Sequence, residues 1–227
     1  MKRFEREGKG EPAPSSGLAR CGVMAYTHFW KLVAVNLLFV LFSLPVVTLP
    51  AAFTALDRVC IIIYRDGNIF LWDEFWKEFR RSFLRTLVPG FCFALLLFGG
   101  YFFMSLGNGN LQLGFVAMLF WAVGIFMAMT ALLVGEVFFI LISVLEIRNF
   151  DAMKNALILS LARPARSLGI LLILLALLFG AMALMPFSLL LLVFIGVVLA
   201  QYPVCCLMYD LVEELILIPF QNRKDKA

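Results

Sequence analysis

Charge and histidine are scarce in this chain. Asp, Glu, Lys and Arg together make up 15% of its 227 residues, and His28 is its one histidine. A soluble domain needs a largely polar exterior, and a chain that is 63% hydrophobic with a mean hydropathy of +0.97 cannot supply one. A single histidine leaves no second imidazole for a metal site, and His28 sits beside Phe29, Trp30 and Lys31, which reads as an interfacial position. The five cysteines form no CxxC pair, and Cys205 and Cys206 are adjacent, so they read as small buried apolar residues. There is no Gly-rich phosphate loop, no GxSxG and no HExxH. The expectation is therefore a protein that is not an enzyme and that holds no metal or cofactor.

What the chain has in abundance is long apolar runs, in blocks rather than at amphipathic spacing, and these read as membrane-crossing helices. The expected fold is all-α, a polytopic helical membrane protein with interfacial amphipathic helices between its spans. Residues 1–22 read as a polar tail, 23–209 as one membrane domain and 210–227 as a second tail. The first block, 24–64, would be about 60 Å long as one straight helix, twice the hydrocarbon thickness. Pro45 and Pro50 supply the breaks, and Thr48 can cap a helix with Pro50 in its first turn. Spans are expected at 24–45, 48–64, 87–105, 113–147, 168–184 and 188–209.

Between the second and third spans lies "DGNIFLWDEFWKEFRRSFLR". Trp72, Phe75, Trp76, Phe79 and Phe83 recur at helical spacing, with Lys77, Arg80 and Arg81 among the charges on the other face. This is the pattern of an interfacial amphipathic helix, or of the same helix packed on neighbouring spans. A second, weaker amphipathic stretch is ended by Pro164, with Arg163 before the proline and Arg166 just after it. Trp72, Trp76, Lys77, Arg80, Arg81, Arg163 and Arg166 are the candidates for contact with lipid or a partner. A weak duplication, about 24–106 against 113–185, is also legible.

Charge distribution orders the spans. The N-terminal tail carries five Lys/Arg before Cys21, the 65–86 loop five and the 148–167 loop four, whereas 106–112 and 185–188 carry none. Basic loops stay cytoplasmic. An even number of crossings before residue 65 satisfies that rule, so Pro45, Thr48 and Pro50 should mark a hairpin turn near the outer surface. Six crossings with both termini on the cytoplasmic side of the plasma membrane is the expectation. The alternative is five spans, in which 24–64 crosses once and bends.

Inside the apolar blocks stand Asp57, Arg58 and Glu136. A charge at the centre of the bilayer costs about 2.5–3.5 kcal/mol on insertion scales, so these should face one another, a cavity or water. A Glu136–Arg58 pair is geometrically open. The three read either as a polar site for transport or as a structural ion pair.

"FWKLVAVNLLFVLFSLPVVTLPAAFTAL" followed by "FLWDEFWKEFRRSFLR" resembles the YesL-like bacterial membrane proteins, a family with a domain of unknown function. "KNALILSLARPARS" and "QYPVCCLMYDLVEE" are similar to its second half. Leu49 departs from the pattern, which often has Gly before the proline. The resemblance supplies no catalytic residues. It implies a setting of carbohydrate uptake and glycan degradation, and hence an accessory or assembly partner of an ABC-type sugar importer, with importer subunits as partners beside the lipid bilayer. The alternative is a small transporter or channel with its polar site at Asp57, Arg58 and Glu136. A homo-oligomer stays open, and nothing points to nucleic acid.

Overall fold

The computed structural model describes residues 17–67, 69–145, 147–162, 169–173, 176, 180 and 192–214. Among these residues every regular element is helical. In chain order they are α1 (Gly17–Thr27), α2 (Phe29–Ser43), a 3₁₀ turn (Val46–Thr48), α3 (Leu49–Asp66), α4 (Leu71–Gly109), a 3₁₀ turn (Leu111–Leu113), α5 (Phe115–Val144), α6 (Asn149–Ala162), a π-turn (Leu192–Gly196) and α7 (Val197–Val212). Four helices are long and apolar enough to cross a membrane, and a bent fifth is supplied by α1 and α2 together. More than half of the expected span at 168–184 falls outside the described residues. So do the 185–188 turn, Arg163, Pro164 and Arg166, most of both tails, and part of the second half of the expected duplication.

The first expected span, 24–45, is not one helix. It breaks at His28, where α1 and α2 meet at 83°. No proline or glycine marks the break. Thr27 Oγ1 donates to the carbonyls of Val23 and Met24, and His28 leaves helical geometry at φ −113° and ψ 24°. Hydroxyls bonded back to the preceding turn bend helices. On the far side of the bend, Lys31 Nζ donates to the Gly67 carbonyl at 2.8 Å, and the His28 ring lies against Gly67. Gly67 ends α3 at φ +72°, and a Cβ there would come within 3.0 Å of that ring. Glycine serves both demands.

The two prolines flank the turn between α2 and α3. Pro45 precedes the 3₁₀ turn, and Pro50 lies in the first turn of α3. Thr48 stands at the N-cap of α3, but its hydroxyl does not cap that helix. It turns back to the Phe42 and Pro45 carbonyls and closes the turn.

The amphipathic stretch and the third expected span are a single 39-residue helix, α4. An interior proline normally orphans the carbonyl four residues back. Here Pro89 lies inside α4, and the Arg85 carbonyl is taken instead by Asn149 Nδ2 at 2.7 Å, while Arg85 Nε donates to Asn149 Oδ1 at 3.0 Å. The helix therefore continues through the proline. Its aromatic face packs on α2, because the Phe42 ring meets Trp72, Phe75, Trp76 and Phe79 with centroids 5.0–6.1 Å apart. Lower on the same helix, Gly90 leaves room for Pro50, whose ring would meet an added Cβ at 2.3 Å. Gly100 and Gly124 let α4 and α5 approach backbone to backbone, the small-residue packing common between membrane helices.

The core lies where α3, α5 and α7 meet. Leu56, Ile63, Phe138, Ile140, Leu141, Met208 and Leu211 are fully buried there. Apart from Arg58, in the middle of α3, the basic side chains of the described residues, from Arg20 and Lys31 through Arg65, Lys77, Arg80, Arg81 and Arg85 to Arg148 and Lys154, belong to α1, to the start of α2, to the close of α3, to the first half of α4, and to α6 and the residue before it. That side of the molecule is called the basic end below.

Candidate functional site

Asp57 lies halfway along α3, about 12 Å from its start at 1.5 Å per residue. It is fully buried, as Glu136 of α5 and Gln201 of α7 nearly are. Gln201 Nε2 donates to Asp57 Oδ1 at 2.6 Å and also to Glu136 Oε1. One amide group therefore divides its two hydrogens between two carboxyls on different helices. The Cys205 thiol, one turn along α7, donates to Asp57 Oδ1 at 3.4 Å. Asp57 Oδ2 is buried with no partner among the described residues.

Arg58 does not join this group. Successive residues on a helix point about 100° apart, so Asp57 facing α7 turns Arg58 elsewhere. Its Nη1 donates to the Ser143 carbonyl at 2.9 Å. That carbonyl belongs to the last turn of α5, which ends at Val144, so Arg58 caps a helix C-terminus. The open Glu136–Arg58 pairing is thus replaced by two separate arrangements. None of the Lys, Arg or His side chains among the described residues forms an ion pair with Asp57 or Glu136.

A second amide acts nearby. Asn36 of α2 is fully buried; its Nδ2 donates to the Val193 carbonyl at 2.6 Å, and its Oδ1 accepts from Val198 N at 3.0 Å. Val193 lies within the π-turn and Val198 just beyond it, where the regular ladder is interrupted. Asn36 pins the turn that leads into α7, and α7 carries Gln201. Neither amide stood out in the sequence, because an uncharged side chain hardly disturbs an apolar run. The available signal was Gln201 and Asn36 as the polar side chains inside otherwise apolar helices.

On the adjoining side of α7, Tyr202 and Pro203 line a cavity of about 420 Å³ with Cys21, Ala25 and Leu32 from α1 and α2. Its walls are almost wholly apolar. The Tyr202 hydroxyl is buried and has no hydrogen-bond partner among the described residues. No cluster of three His, Cys, Asp or Glu groups placed to hold a metal occurs among the described residues.

The connector candidates lie on the first half of α4. Glu78, only 5% exposed, pairs with Arg81 at 3.0 Å, and Arg80 lies 5.1 Å over the Trp76 ring. Lys77, Arg80 and Arg81 are exposed, and Trp72 is 54% exposed with its ring stacked on Trp76. They all lie on α4, a helix that contributes no side chain to the Asp57–Gln201–Glu136 cluster.

No curated protein and no solved structure matches this chain. A family model described as "Protein of unknown function, DUF624" matches residues 32–104, which takes in most of α2, the proline turn, α3 and most of α4, and so includes Asp57 but neither Glu136 nor Gln201.

Proposed function

We propose that this protein is a small membrane transporter whose coupling site for a proton or a monovalent cation is the Asp57–Gln201–Glu136 cluster. One observation carries the reading: two carboxyls buried inside the bundle share a single amide, and one of their oxygens has no donor among the described residues. Burying a carboxylate is costly unless a positive charge or hydrogen bonds offset it. Arg58 is turned away to α5, so the offset falls to a proton or a small cation. A structure-only role would be served as well by apolar residues of similar size, which often stabilise when they replace buried ion pairs.

Gln201 and Tyr202 are neighbours on α7, one against the carboxyls and the other against the cavity. That adjacency gives the helix a way to link charge at Asp57 to occupancy of the cavity. The apolar walls suit an apolar or amphipathic solute better than a sugar, which needs paired polar groups. The YesL-like setting of carbohydrate uptake, and importer subunits docked on Lys77, Arg80 and Arg81, rest on resemblance, and the cavity gives them no support.

The test is thermal unfolding of the purified protein, across pH and across sodium, lithium and potassium concentrations. A ligand that binds the folded state at 100 times its Kd adds about 2.7 kcal/mol. The wild type should shift with one of these variables, and Asp57→Asn and Glu136→Gln should each flatten that response while still folding. A response that survives unchanged in both variants sinks the reading. Dependence on pH alone identifies the proton.

A further inference from the structure

The proline turn should share the outer surface with the 106–112 turn if α2 and α3 both cross the bilayer. The packing contradicts that. Pro50, at the start of α3, abuts Gly90 of α4, and α4 then runs on through another 19 residues to Gly109. At 1.5 Å per residue that is about 28 Å, close to the full thickness of the hydrocarbon layer. The tip beyond it is polar, with Asn108, Asn110 and Gln112, as a surface turn should be. A turn lying that far short of the tip cannot emerge beside it.

The chemistry of the turn matches immersion. Leu44 is 73% exposed, Val46 79% and Val47 63%, so its outward face is wholly aliphatic. Its hydroxyls bond carbonyls of the turn itself: Ser43 donates to the Val40 carbonyl, and Thr48 to those of Phe42 and Pro45. Pro45 and Pro50 have no N–H to satisfy. In lipid each unsatisfied backbone group costs several kcal/mol, and this turn is built to leave few. Both of its ends return to the basic end, through Lys31 on one side and Arg65 on the other.

We infer that α2 and α3 form a re-entrant hairpin, whose aliphatic turn at 44–48 sits among the acyl chains of the leaflet on the basic side and does not reach the opposite face. The partner of its turn is lipid hydrocarbon, while the rest of the hairpin, Asp57 included, runs back from Pro50 toward the basic end and does not cross the membrane. The charge pattern is kept, because a hairpin that returns to its own side leaves the N-terminal tail and the 65–86 loop together. Packing and turn chemistry, and not the transport reading, carry this inference, though it places that reading's Asp57 on the basic side.

The experiment places single cysteines at Val46 and at Gln112 in the full-length protein, in oriented membrane vesicles, and reacts them with a membrane-impermeant maleimide from each face. The parent protein gives the background from its native thiols. Gln112→Cys should react from the face opposite the basic end. Val46→Cys should react from neither face, or from the basic face alone, and at least tenfold more slowly than Gln112→Cys. A spin label at the same position should be relaxed by lipid-dissolved oxygen rather than by an aqueous nickel complex. Val47→Cys repeats the measurement should the first variant fold poorly. Reaction of Val46→Cys from the same face as Gln112→Cys, at a similar rate, overturns the inference and restores two full crossings.

Discussion

Pro89 removes the donor that the Arg85 carbonyl would otherwise have, and Asn149 supplies the replacement from α6. A buried acceptor left unsatisfied costs about 1–3 kcal/mol, so Asn149→Ala should destabilise the protein by an amount in that range. In a Pro89→Ala background the new amide hydrogen returns to Arg85, and the same substitution should then cost less. A double-mutant cycle on unfolding midpoints measures the difference. Equal costs in the two backgrounds would show that the Asn149 contact is not compensation for the proline. At this scale the sequence was legible where charge was concerned. Asp57 and Glu136 stood out in their apolar runs, whereas the side chain that joins them, Gln201, is neutral and did not. Arg58 was equally visible, but its destination depends on which face of α3 turns to α7, and hydropathy does not encode that rotation.

Helix α1 is held across the basic end by a compact set of bonds. Gly17 N donates to Asp210 Oδ2 at 3.0 Å and to the Tyr64 hydroxyl at 3.2 Å, and that hydroxyl donates to Asp210 Oδ1 at 2.8 Å. Arg20 adds a bond to the Arg65 carbonyl at 3.0 Å and lies over the Tyr64 ring. An acidic group at a helix N-terminus is favourable by dipole and hydrogen bond alike. Asp210→Ala removes two of these bonds together and should loosen α1 as a unit about the bend at His28. Amide hydrogen exchange across 19–27 should quicken on the order of tenfold or more, with α3 and α5 unchanged. Uniform acceleration through all helices would mean global destabilisation, and the latch would then be no separate unit. Elements were read from the sequence with uneven success for physical reasons. Prolines at 45 and 50 announced a turn, since nothing else accommodates two of them in an apolar run. The bend at His28 had no such marker, because side-chain hydroxyl and imidazole contacts produce it. The join between the amphipathic stretch and the third span was hidden for the opposite reason: Pro89 looks like a break, and a residue 60 positions away repairs it.

The molecule as a whole is polarised. The basic residues of its described part gather at one end, and the 86–147 stretch, which forms most of the α4–α5 pair, contains no Lys or Arg at all. Short loops without Lys or Arg are the ones carried across, so the tip at 110–114 is predicted to be the translocated segment. The re-entrant α2–α3 hairpin adds nothing to this vectorial choice, so α4 becomes the first element in the chain that must decide its direction. Orientation should therefore depend strongly on the charge difference across α4, between Lys77, Arg80, Arg81 and Arg85 on one side and a neutral tip on the other. Placing lysines at Asn108, Asn110 and Gln112 should set the two ends of α4 in competition. A reporter fused at residue 112 that is active only outside the cytoplasm should lose most of its signal in that triple variant. The same reporter in a variant with lysines at Ser43 and Thr48 should keep its signal, because that turn never crosses. If α2 and α3 were full spans, the second variant would disturb the reporter as much as the first, and the molecule's direction would be set two helices earlier.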